Sequence, residues 1–72
     1  MSDTTLIKVT VNGESREVPG GLTIAGLLDF FQIRKTTAIV EHNRKVIDRA
    51  NYDSSPVSEG DELEIVRFVG GG

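Results

Sequence analysis

Between Leu6 and Val18 the chain alternates in polarity on either side of an Asn12-Gly13 pair. No other feature restricts its fold as much. Ile7, Val9 and Val11 share one parity, and Leu6, Lys8 and Thr10 share the other. Asn-Gly accepts positive φ at both positions, as the tight turns that suit the twist of paired strands require. A two-residue turn sets the register. Val11 then meets Glu14, Thr10 meets Ser15, Lys8 meets Glu17 and Ile7 meets Val18. Such cross-strand pairs contribute ~0.2–1 kcal/mol each, so the pattern and the turn select the same hairpin. A hairpin with one apolar face needs a cover, and the remaining residues must supply it.

Pro19-Gly20-Gly21 ends the second strand; no Gly-Lys-Ser/Thr follows, which excludes a phosphate loop. Thr23 is placed as a helix N-cap, with Leu22 and Leu27 as a hydrophobic staple around it. Ile24, Leu27, Leu28 and Phe31 form one helical stripe, and Phe30 falls off it, half exposed. Gly26 weakens the helix slightly and would permit close approach to the sheet. After a polar connection, Thr37 to His42 reads as a third strand, Asn43-Arg44 as a turn and Lys45 to Ile47 as a short fourth strand. That pairing sets Val40 against Ile47 facing inward and Glu41 against Val46 facing outward, with Ile39 on the outward side. His42, beside the turn, is expected in solvent. Asp48 to Ser58 is irregular, and Tyr52 is expected to pin it to the body through a hydroxyl–backbone hydrogen bond.

Ser58-Glu59-Gly60-Asp61 is a turn signal, and the final strand runs from Leu63 to Val69. One helix covers one face of a four- or five-stranded sheet. Ile7, Val9, Val18, Val40, Leu63 and Ile65 are expected beneath it. Ile39, Val46, Val66 and Phe68 are left on the open face, and a cluster of exposed apolar residues marks a contact surface. Arg67 shares parity with the inward residues. Either the strand has left the core by then, or the arginine stem packs at the rim.

Composition narrows the function. Seventy-two residues make one domain, expected over residues 1–69, too small for a deep enzyme cleft. The absence of cysteine removes disulfides, zinc clusters and iron–sulfur sites, and one histidine builds no metal centre. Apolar runs are too short for a membrane span and no signal peptide is visible, which points to the cytoplasm. A net charge of −3 argues against nucleic acid. Acidic residues concentrate at 53–64 and basic residues at 34–49, a polarity that can steer a partner.

The sequence closes on Gly70, Gly71 and Gly72. Glycine averages roughly 7% of residues, so three in a row arise by chance about 3 times in 10,000. Residues 70–72 are expected to form a flexible tail with a carboxylate at its tip, able to enter a channel that any Cβ would block. A frayed terminus is the other reading of the same residues.

Four segments together carry a family resemblance: Val11-Asn12-Gly13-Glu14, Val40-Glu41-His42-Asn43, Val57-Ser58-Glu59-Gly60-Asp61, and the run from Glu64 through Phe68 to the glycines. The chain from Leu6 onward resembles the ThiS sulfur carriers of thiamin biosynthesis. That resemblance implies an α+β, ubiquitin-like β-grasp fold, with one helix packed on a four- to five-stranded mixed sheet. It implies a carrier and not an enzyme, with no catalytic residue and no bound cofactor or metal of its own. Gly72 would be adenylated with ATP by an adenylating enzyme of the ubiquitin-activating type and converted to a thiocarboxylate. The sulfur, supplied by a sulfur donor protein, would pass to thiazole synthase. Gly70 and Gly71 would give the tail passage, while Val66, Phe68, Ile39 and Val46 would dock the partners. The physical chemistry is compatible. An α-carboxylate with a pKa of about 3.3–3.7 is ionised at neutral pH and is a poor electrophile until activated. Residues 69–72, fully extended, reach at most about 14 Å. The sulfur carrier of molybdopterin synthesis, a ubiquitin-like protein modifier and an interaction domain with an inert tail are the alternatives. The ferredoxin branch of the fold is excluded by its need for four cysteines.

Overall fold

The Asn12-Gly13 pair adopts φ of 51° and 83°, so both turn residues are left-handed and the hairpin closes with two residues. In the computed structural model, which describes residues 5–68, strands β1 (Leu6–Val11) and β2 (Glu14–Pro19) pair antiparallel in the expected register. Helix α1 (Ile24–Phe30) follows, then β3 (Ala38–His42), β4 (Lys45–Val46) and β5 (Glu62–Arg67), with single 3-10 turns at Lys35–Thr37 and Arg49–Asn51. The sheet order is β2-β1-β5-β3-β4. β5 lies at the centre, parallel to β1 and antiparallel to β3. This is one helix on a five-stranded mixed sheet, the β-grasp arrangement. The boundary expected at residue 69 and the tail expected at 70–72 lie outside the described residues.

Alternation decides what is buried. Val9, Val18, Val40, Leu63 and Ile65 project under the helix and meet Ile24, Leu27 and Leu28 from its stripe, with Ala38, Tyr52 and Val57 closing the edges. Ile7 is only half-buried at the margin of this core. Burying one such aliphatic side chain contributes about 1.5–3 kcal/mol, so the face of each strand is settled by its apolar parity.

Helix α1 has only seven residues and depends on its ends. At the N-terminus every amide that lacks an intrahelical acceptor finds one elsewhere. Ile24 N donates to Ser55 O at 2.8 Å, Ala25 N to Tyr52 O at 2.9 Å, and Gly26 N to the Thr23 hydroxyl at 3.1 Å. The irregular segment after β4 is therefore the helix's N-terminal cap. Tyr52 anchors that segment as expected, donating its hydroxyl proton to Ala38 O at 3.0 Å from a fully buried position. Gly26 does not approach the sheet; a Cβ there would meet Leu22 Cδ2 at 3.2 Å, where Leu22 folds over the first turn.

At the other end the helix stops earlier than its stripe. Phe31 is the C-cap and only half-buried. Gln32 turns left-handed at φ 60°, Gln32 N donates to Asp29 O, and Ile33 N donates to Leu28 O. This is the double hydrogen bond that closes helices at a left-handed residue, a position that favours glycine. The 3-10 turn at Lys35–Thr37 then takes Thr37 out of β3. β4 ends at Val46, although Ile47 N still reaches Val40 O at 2.9 Å. A left-handed L-residue costs roughly 1–2 kcal/mol relative to a right-handed one. Gln32→Gly should therefore stabilise the domain by about 1 kcal/mol and raise its thermal midpoint by several degrees. Thermal unfolding followed by circular dichroism tests this, and an unchanged or lower midpoint would show that the Gln32 side chain compensates for its backbone.

Candidate functional site

The open face of the sheet carries the expected apolar residues. Ile39 of β3 stands directly opposite Val66 of β5, and the two remain 38% and 57% exposed. Phe68 follows at 50%, and Val46 on β4 is 67% exposed. One step away from Ile39 and Val66, Glu41 opposes Glu64, and Glu41 also opposes Val46. The face thus has an apolar band toward the end of β5 and an acidic row behind it. All four residues named as a docking surface share this side of the sheet. Gly70, Gly71 and Gly72 lie outside the described residues.

The end of β5 is held from both sides. On the β3 side, Arg67 pairs with Ala38, and Phe68 N donates to Thr37 O at 2.9 Å. On the β1 side the strand has already turned away, and the Asn12 side chain takes over. Its Oδ1 accepts from Ile65 N at 2.8 Å and its Nδ2 donates to Ile65 O at 3.2 Å. The amide imitates a further residue of β1 and extends the ladder alongside Ile65. Sequence reasoning assigned Asn12 to the turn alone. A carboxamide has the donor and acceptor pair that a backbone residue presents, and that is the signal that could have revealed this second role.

The start of β5 is held by Asp61. Its Oδ2 accepts from Ser58 N at 2.8 Å and meets His42 Nε2 at 2.7 Å, while its Oδ1 accepts from Asn43 Nδ2 at 3.2 Å. Asn43 Oδ1 accepts from Glu62 N at 2.9 Å, so the β3–β4 turn and the start of β5 are knotted together. His42 was expected in solvent. Its side chain is instead only 17% exposed, because the carboxylate opposite gives its ring a partner as it leaves water. Burial pushes the Asp61 carboxyl up. That effect is outweighed by hydrogen bonds from His42, the Ser58 amide and Asn43, with the His42 charge adding to them, and the group lies below the usual carboxylate range.

Arg67 stays on the strand with its parity unchanged. It lines the rim of a shallow cleft on the helix side of the sheet, with Val11, Asn12, Arg16, Phe31, Ile33 and Ile65. The arginine stem therefore sits at the rim, as one of its two readings held. Among the described residues no group of three or more His, Asp or Glu side chains could hold a metal ion, and no helix is long and apolar enough to cross a membrane.

Comparison with known proteins adds the following. Residues 9–72 match the model of the ThiS family. The thiazole synthase of Paramagnetospirillum magneticum is 35% identical over 66 residues, which cover 92% of this chain and 20% of that protein. The chain thus spans about a fifth of the thiazole synthases it matches, another being that of Magnetococcus marinus. The sulfur carrier protein ThiS of Bacillus subtilis is 40% identical over 50 residues, covering 69% of this chain and 76% of that one. Among solved structures, the thiamine biosynthesis protein (ThiS) of Geobacter metallireducens superimposes with a TM-score of 0.78 at 33% identity, covering 92% of this chain and 100% of the other.

The Asp61 cluster has a consequence for acid stability. A carboxyl whose pKa is depressed by folding stabilises the folded state above its unfolded pKa, and that contribution is lost as pH falls through the folded pKa. The domain should therefore lose stability progressively below about pH 4. Asp61→Asn should melt at a lower temperature at pH 7 and show a flatter decline in acid. Thermal melts between neutral pH and strong acid measure both. Parallel curves for the two proteins would mean that other carboxylates govern acid unfolding.

Proposed function

The chain belongs to the ThiS family, and we propose that it carries sulfur for thiamin biosynthesis as a thiocarboxylate on Gly72. The observation that supports this most directly is the continuity of the open face. Val66 at the end of the central strand and Phe68 just beyond it stand exposed a few residues before the glycines, with Ile39 beside Val66. A protein that covers this apolar band is placed to receive residues 69–72, which reach at most about 14 Å when extended.

The chemistry requires little of the chain itself. A Gly72 carboxylate oxygen attacks the α-phosphorus of ATP, and pyrophosphate leaves. Sulfur delivered at the hydrosulfide level then adds to the activated acyl carbon, AMP leaves with the electron pair of the broken C–O bond, and the S–H proton passes to solvent, leaving the thiocarboxylate. An adenylating enzyme of the ubiquitin-activating type binds the ATP, and a sulfur donor protein furnishes the sulfur. The carrier contributes the reacting carbon and a tail without side chains. Thiazole synthase is the acceptor. Support for that partner comes from thiazole synthases in which a segment resembling this chain forms a fifth of the protein. The reaction is placed in the cytoplasm, where ATP is available.

Incubated with the adenylating enzyme, ATP and a sulfur source, the protein should gain the mass of one oxygen-to-sulfur exchange, localised to Gly72. Unchanged intact mass with a demonstrably competent enzyme would overturn the proposal, and a lysine-linked adduct would make the protein a modifier instead. Deleting Gly72 should abolish the exchange and leave the thermal midpoint within about 1 °C, since terminal residues without packed side chains add little stability. Phe68→Asp should weaken the complex with the adenylating enzyme by tenfold or so, because a desolvated charge replaces an apolar contact, while costing the fold under about 1 kcal/mol. Unfolding by that substitution would place Phe68 in the core and not on the docking face.

A further inference from the structure

The helix side of the sheet carries a second surface at the end of β5. Arg67 and Arg16 line one cleft whose floor is Val11, Phe31, Ile33 and Ile65. Ile65 and Arg67 alternate with Val66 along the end of β5 and with Phe68 just after it, so the cleft and the apolar band flank the same strand end from opposite faces. Among the described residues no carboxylate pairs with Arg67. Arg16 meets Glu14 at 3.3 Å through an exposed contact and lies 5.9 Å from the centroid of the Phe31 ring, within cation–π range. The open face is predominantly of the opposite sign, with Glu41, Glu62 and Glu64 exposed on it against Lys8, and with Arg44 4.0 Å from Glu62.

We propose that this cleft receives an acidic segment of the protein that adenylates the tail, so that the partner grips β5 from both faces. The inference rests on the carrier reading above and adds to it the second contact and its charge. Two guanidiniums above an apolar floor suit a carboxylate whose stem or aromatic neighbour fills the cleft, since Arg offers a fork of donors that a carboxylate accepts in pairs. Placement argues for the same occupant. A ligand in this cleft touches Arg67, three residues before Gly70, so a protein that binds the glycines is close enough along the chain to reach the cleft as well. Opposite signs on the two faces also give orientation. A partner presenting basic groups to the acidic row and acidic groups to the cleft can seat the carrier in one sense only, and such complementarity acts chiefly on encounter and register.

The test measures carrier-dependent exchange of pyrophosphate into ATP by the adenylating enzyme of the same organism, as a function of carrier concentration. Arg67→Glu and Arg16→Glu should each raise KM by about tenfold while kcat changes less than about twofold, the pattern of lost binding without lost chemistry. Raising salt from about 50 to about 300 mM should raise KM for the parent protein and leave the Arg67→Glu protein nearly flat, because exposed charge pairs are screened over that range. Arg67→Lys should fall between them. Both arginines are exposed, and thermal melts establish that each variant is folded at the assay temperature. If a charge reversal unfolds the chain, Arg67→Gln carries the comparison, with an increase in KM of about threefold. Parent-like KM and parent-like salt dependence in folded variants would overturn this inference while leaving the carrier reading intact. Failure of the parent protein to support exchange would overturn both.

Discussion

β5 is the strand on which the rest of the molecule depends. A strand at the centre of a sheet satisfies its backbone on both edges, and here the two edges are met by different chemistry. Toward β3 the pairing is antiparallel from Leu63 to Arg67 and continues to Phe68 through Thr37. Toward β1 it is parallel over Thr10 and Val11, and the Asn12 carboxamide then completes it at Ile65. Without Asn12, one edge of β5 would lose its ladder where the strand approaches its C-terminal end. An unpaired backbone amide that is partly shielded from water costs about 1–3 kcal/mol. The left-handed turn and the side-chain clamp therefore converge on one residue. Asparagine suits both, since it tolerates positive φ and carries a carboxamide.

The short helix shows a comparable economy of parts. Seven residues cannot hold a helix by propensity, so its termini must be supplied by the fold. The segment from Asp48 to Val57 looks featureless in composition, yet its carbonyls at Tyr52 and Ser55 accept the first helical amides. Tyr52 then ties the same segment to β3, next to the position where Ala38 pairs with Arg67. Helix, irregular segment and β3 are thus one mechanical unit that supports the end of β5 from below.

These relations also explain what could be read in advance. The β1–β2 hairpin was legible to the residue, because alternation and the Asn-Gly turn are local and agree. The inward and outward parities of β3 and β5 were legible for the same reason, and with them Ile39, Val46, Val66 and Phe68. The failures share a cause: they are contacts between segments far apart in the chain. His42 looked like an exposed loop residue because Asp61, nineteen positions later, is invisible to local pattern. The helix stopped before Phe31 because Gln32 adopts a conformation that sequence preference assigns to glycine. Arg67 could be placed only once the cleft beneath it was known. The family assignment fared better than the geometry since it drew on many weak segments at once, whereas each long-range contact depends on one pair.

The division of labour along β5 follows from its alternation. Leu63 and Ile65 are buried and support the fold, while Val66 and Phe68 are half exposed and contribute less to it. Two adjacent residues of one strand can therefore answer to different demands, one to the core and one to a partner. The same alternation sends Arg67 back to the helix side, where the core has ended and a charged side chain can remain in water above an apolar floor. Had the core continued one residue further, position 67 would require an aliphatic side chain and the cleft would be filled. The strand instead outlasts the core by a single inward position, and that position gives the end of β5 two chemically distinct faces.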